Sequence, residues 1–274
     1  MYLDILIFDD EFDDFSCCEC NCSISRCLLA ALRDTANQKI YDYYKTLSYR
    51  MSLFVDYPES ITPEAAMSLQ EKLRSQVILH DDLGEVNHIA GVDVGFENND
   101  SISCAAVAVL KYPQLTLHEH QIIRLPTTFP YIPGLLAFSE VPVVLEALSR
   151  LSTKPDLLLC DGNGYIHPRR FGFACHLGVV SQIPSIGVAK TPYIGEHEPV
   201  GNNRGDWQPI YDNNEIIGAA LRTQADVKPV YVSIGHRISL ERAIDYVLQS
   251  APTYRLPETT RWADHLASGH SSPL

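Results

Sequence analysis

The chain has 274 residues, 46% of them hydrophobic and 20% charged, which is enough apolar material for a sizeable core and excludes a wholly disordered chain. No uninterrupted apolar stretch approaches the roughly 20 residues that cross a bilayer, and the apolar start Met1 to Phe8 lacks a basic leader and runs directly into acids, so a soluble, cytoplasmic protein without membrane partners is expected. A formal charge of −13 argues against broad, sequence-independent attraction to nucleic acid, but leaves room for a locally basic groove or for metal ions that supply positive charge.

Residues 1–50 differ in composition from the rest. They hold nine acids and five bases, and five of the eight cysteines: Cys17, Cys18, Cys20, Cys22 and Cys27. This cluster contains one C-x-x-C pair but no second pair and no nearby histidine, so three readings stand side by side: a zinc site, a tail of reduced thiols, or a segment preceding a true start at Met51. The expected organisation is an acidic, Cys-rich extension over 1–50 and a separate domain over 51–274.

From Thr62 the signals are those of an α/β domain. Thr62-Pro63-Glu64 reads as an N-cap, a first-turn proline and a first-turn acid, and Ala66, Leu69, Leu73 and Val77 follow at helical spacing. His88 to Phe96, Ser103 to Lys111 and Leu115 to Leu125 read as an antiparallel meander with turns at Asn98-Asn99-Asp100 and Pro113-Gln114. A helix is expected to start at Ser139, with Pro142 in its first turn. Pro155 to Asp161 and Pro184 to Lys190 read as core strands separated by a helix over Phe173 to Gln182, an alternation that implies parallel pairing. Strands at Glu215 to Arg222 and Pro229 to Ile234, then helices from Ser239 and Glu258, complete the domain.

Some residues are not explained by a fold alone. Asp93 lies within the apolar run Ile89 to Phe96, where an unpaired carboxylate is costly, and either a metal ion or a buried base would compensate it. Asp161 closes a core strand, at the end where open α/β sheets keep their ligands. After it, Gly162-Asn163-Gly164-Tyr165-Ile166-His167-Pro168-Arg169-Arg170 is either a plain turn or a phosphate- or base-contacting loop. Glu140 on its own only complements a helix dipole. Pro130-Tyr131-Ile132-Pro133-Gly134 is a stiff apolar tip suited to capping a core or to wedging between stacked bases.

These segments, together with Phe138-Ser139-Glu140, Ile186-Gly187-Val188-Ala189-Lys190, Gly235-His236-Arg237 and the ending Tyr254 to Asp264, resemble the bacterial branch of the endonuclease V family, in the same order and over roughly Leu69 to Ser268. The resemblance implies an RNase H-like α/β fold with a mixed sheet. It also implies Mg²⁺- or Mn²⁺-dependent hydrolysis of the second phosphodiester bond 3′ to deoxyinosine, leaving 3′-hydroxyl and 5′-phosphate ends. The implied metal-binding carboxylates are Asp93, Glu140 and Asp161, with Lys190 and His236 near the cleaved phosphate. Pro130, Tyr131, Ile132 and Pro133 are implied as a strand-separating wedge, and Gly134, Leu135, Gly162, Gly164, His167 and Phe173 as the base pocket. Arg169, Arg170, Arg237 and Lys111 are expected to help hold the strand. The expected partner is deaminated DNA, double- or single-stranded, with inosine-containing RNA and a non-catalytic lesion binder as competing readings, and the chain acting as a monomer.

Overall fold

The computed structural model describes residues 61–269; the Cys-rich head and Met51 lie outside the described residues. Helix α1 (Pro63–Arg74) begins as its sequence dictates, with the Thr62 hydroxyl accepting from the Ala65 backbone N–H and proline in the first turn. Strands β1 (His88–Glu97), β2 (Ile102–Lys111) and β3 (Thr116–Pro126) form the antiparallel meander. The β1–β2 turn contains Asn98, Asn99 and Asp100, all in the left-handed region that short polar side chains tolerate.

Helix α2 spans Ala137–Ser149, so it starts two residues before the expected position. Ser139 does not cap it: its hydroxyl donates back to the Leu136 carbonyl from within the first turn. Pro142 is therefore the sixth helical residue rather than a first-turn residue, and the Phe138 carbonyl lacks its i+4 donor. Next come β4 (Leu157–Asp161), α3 (Phe173–Ser181), β5 (Ser185–Ala189), β6 (Trp207–Asp212), β7 (Glu215–Leu221), β8 (Val230–His236), α4 (Leu240–Ser250) and α5 (Glu258–Ala267). Strand β6 was not expected from the sequence. Its Pro209 weakens a strand signal, and the structure accommodates it at the edge of the sheet, where a missing N–H costs least.

The eight strands form one mixed sheet in the order β3-β2-β1-β4-β5-β8-β7-β6, parallel for β1/β4 and β4/β5 and antiparallel elsewhere. This is the expected α/β, RNase H-like arrangement of meander plus parallel strands. Helices α4 and α5 bury Ala243, Ile244, Val247 and Leu266 against Ile89, Leu157, Leu159, Ile186 and Val232 on one face. Helices α2 and α3 pack against the sheet as well, reaching β1–β3 and β4, β5 and β8 respectively. The close seat of α5 depends on Gly91: a Cβ there would lie 1.8 Å from the Thr259 carbonyl oxygen.

Candidate active site

Strand pairing brings the first two acids together. Val92 pairs with Cys160 across the parallel β1/β4 ladder, so the next position on each strand holds Asp93 and Asp161. There β4 ends, and β1 continues beside β2 alone. Glu140, in the first turn of α2, faces this opening. A fourth acid arrives on α5: with Thr259 resting on Gly91, the helix carries Asp264 into the field of Asp93 and Lys190. Sequence reasoning noted the Trp262-Ala263-Asp264 segment but gave Asp264 no role, because nothing in local spacing shows that α5 docks there.

Asp93 and Glu140 feel both their burial and the charge of their neighbours. Burial, then the charges of Asp161 and Asp264, raise Asp93 to about 6, with Lys190 opposing. Burial and the charges of Asp93 and Asp161 raise Glu140 to about 8. Lys190, half exposed at the end of β5, donates from Nζ to Asp161 Oδ2 at 2.8 Å, and this bond raises its own pKa. Among the described residues no three acidic, histidine or cysteine side chains are set closely enough to hold a metal ion. The acids are therefore crowded but not closed into a cage, and Lys190 neutralises the one at the strand end.

Beside the acids is a cleft of about 270 Å³ lined by Tyr131, Gly134, Gly162, His167, Phe173 and Tyr193 along with Glu140 and Asp161. Its rim is the 130–133 tip. Tyr131 is 71% exposed, whereas Ile132 turns inward onto the cluster of Ala66, Phe129, Leu135 and Phe138, so α1 and α2 support the tip from beneath. Gly134 adopts φ +80, and its carbonyl is held by an unusual concentration of donors. Gln70, fully buried on α1, donates from Nε2 to Gly134 O at 3.0 Å and to Phe171 O at 3.1 Å. Arg169 donates from Nη2 to Gly134 O at 2.8 Å and from Nε to Gln70 Oε1 at 2.7 Å.

The Arg169 backbone N–H donates to His167 Nδ1, which leaves the proton on Nε2 to donate to Gly134 O at 3.1 Å. Burial first, then the Arg169 charge, lowers His167 to about 4. It is a neutral strut at neutral pH. Gln70 was missed from sequence because a lone glutamine on a helix carries no chemical signature.

Several expected site residues lie elsewhere. Leu135 is 2% exposed inside the cluster under the tip, and Leu136 lines the cleft instead. Gly164 is buried, with its N–H donating to Ser233 Oγ and its Cα against the Ile234 carbonyl. His236 ends β8, which runs antiparallel to β5 and pairs His236 with Ser185, so it sits at the end of the sheet opposite Lys190. There its Nδ1 accepts from the Ile78 N–H, and burial followed by the Arg237 charge lowers it to about 4. The neighbouring Arg237 is engaged by Asp82. Arg170 is buried between Asp212 and Glu215, and Lys111 pairs with His88 at the start of β1, away from Asp93. None of the four expected bases lines the cleft; Arg169 comes nearest, with its guanidinium committed to the Gly134 carbonyl and to Gln70.

The Endonuclease V family model matches residues 71–265. The Endonuclease V of Rippkaea orientalis is 57% identical over 211 residues, which cover 77% of this chain and 92% of that protein. The solved structure of Endonuclease V from Streptomyces avermitilis superposes with a TM-score of 0.73 at 44% identity, covering 76% of this chain and 92% of the other. Ciona intestinalis Endonuclease V, solved in complex with a 23mer DNA containing an inosine followed by a ribo-adenosine, gives 0.67 at 29% identity and covers 76% and 98%. With the matched residues spanning the sheet, the acids and the cleft, the chain belongs to the Endonuclease V family of nucleases.

Proposed function

We propose that the protein nicks DNA at the second phosphodiester bond 3′ to a deaminated purine, deoxyinosine foremost, with Mg²⁺ or Mn²⁺ as cofactor, and leaves 3′-hydroxyl and 5′-phosphate ends. The observation that carries this reading is the convergence of Asp93, Asp161 and Glu140 beside a base-sized cleft. Asp93 and Glu140 are raised by burial first and then by the charge of the neighbouring acids, with Lys190 among the groups that oppose the rise at Asp93. Hard oxygen donors with excess charge suit a small divalent cation, which when bound polarises the phosphate and activates water.

The chain's own residues supply the rest. Asp93, Asp161 and Glu140 would hold the cation, and Asp264 adds a carboxylate to the same field. Lys190 carries an ammonium beside Asp161 that can meet a phosphate oxygen. Tyr131 projects into solvent as the wedge, on a tip fixed by Ile132 and by the donors on Gly134. The extruded base enters between Phe173 and Tyr193, and extrusion is easiest where pairing is already weak. His167, held neutral, shapes this wall and moves no proton.

The test is cleavage of duplex and single-stranded oligonucleotides with one hypoxanthine, mapped to the nucleotide, beside adenine-containing controls and matched RNA. Nicking should need divalent cation and should fall at least 100-fold in Asp93→Ala and Asp161→Ala. Persistence in EDTA or in those variants overturns the assignment.

A further inference from the structure

A second, larger hollow of about 700 Å³ lies on the far side of the tip from the base cleft. Its floor is the end of β1, where Val94 and Phe96 continue past the last β4 pairing, and its walls are Thr127–Pro130 and the start of α2. Tyr131, Leu136 and Glu140 line both hollows, so they form the partition between them.

The side chains of this hollow offer a phosphate no positive charge. Its charged residues are Asp100 and Glu140, and no Lys or Arg lines it. What it offers is a part-exposed aromatic ring, aliphatic surface, and the hydroxyl-bearing Thr127, Thr128 and Ser139. A flat, neutral, hydrogen-bonding group fits such a lining, and a nucleobase is that group.

We propose that this hollow is a second nucleobase subsite, with Phe96 as its stacking platform, for a base on the 3′ side of the extruded one. The inference rests on the reading above, in which the strand runs 3′ from the base cleft past the acids. Glu140 then marks the point where the strand passes from one hollow to the other. Stacking is tolerant of sequence, so the subsite adds affinity and register without dictating the neighbouring base.

The experiment uses single-stranded oligonucleotides with one hypoxanthine and one abasic residue placed at successive positions on either side. Wild type and Phe96→Leu are compared by kcat/KM for nicking in Mg²⁺. Phe96→Tyr keeps the ring, and thermal unfolding checks that each variant folds. In wild type, an abasic residue at one 3′ position should cost roughly tenfold. Phe96→Leu should show a similar loss on the intact substrate and no further loss at that position, while Phe96→Tyr retains wild-type behaviour. A wild-type enzyme that nicks at hypoxanthine but is most sensitive on the 5′ side, or losses that multiply rather than saturate, overturns the subsite alone. No hypoxanthine-dependent nicking by wild type overturns the underlying reading and the subsite with it.

Discussion

Glu140 shows how a site can be bought with stability. Burial and two neighbouring carboxylates oppose its ionisation, so a neutral isostere relieves the fold of an unfavourable charge. Glu140→Gln is therefore expected to raise the thermal midpoint in EDTA at pH 8 while abolishing Mg²⁺-dependent nicking. A lower midpoint would mean that Glu140 is compensated by something other than a cation. Gln70 acts at the same scale by a different route. Its amide fixes the Gly134 carbonyl at the root of the tip, so Gln70→Met should slow duplex nicking about tenfold, and single-strand nicking much less, because only the duplex must be opened. Equal losses on both substrates would reduce Gln70 to ordinary core packing.

At the scale of elements, the docking of α5 on Gly91 is the contact that brings Asp264 to the other acids. A methyl group at position 91 meets the Thr259 carbonyl at 1.8 Å, and backbone cannot move aside as a flexible side chain can. Gly91→Ala should cost about 3 kcal/mol in urea unfolding and weaken nicking by displacing Asp264. Wild-type stability in that variant would show that α5 is free to shift.

This contact also marks the limit of what the sequence conveys. Thr62 and Ser239 mark the starts of α1 and α4 because a cap is local physics, whereas the apolar spacing after Thr62 runs on to Val77, past the end of α1 at Arg74. The end of β4 identifies Asp161 for the same reason. Strand β6 was illegible because Pro209 is permissible only at an edge, and edge position is set by the whole sheet. The fate of His236 was illegible because strand direction decides which end of the sheet a residue reaches. Asp264 and Gln70 matter through contacts with residues far away in sequence, which no local pattern announces.

Across the whole folded unit, charge is managed by burial as much as by pairing. No helix among the described residues is long and apolar enough to cross a membrane, and the core instead encloses three histidines. His167 and His236 are lowered to about 4 and His176 to about 3, in each case chiefly by burial. A histidine whose folded pKa lies below its unfolded value of roughly 6.5 contributes stability that is complete above that value and lost as pH falls toward 4. The three histidines should therefore pull the urea midpoint down between pH 6.5 and 4, against Asp93 and Glu140, whose raised values act the other way. His236→Asn, which keeps an acceptor for the Ile78 N–H but has no such proton to gain, should decline less. Equal declines in the variant and the wild type, which share the opposing carboxylates, would contradict the neutral, buried assignment.

The proposed cation site lies where Lys190 now engages Asp161 at the end of β4. Anomalous scattering from a crystal soaked in Mn²⁺ tests it most directly. Manganese is expected between Asp93 and Asp161, with Glu140 adjoining. Manganese bound elsewhere, or none bound while the Lys190–Asp161 pair persists, would contradict it.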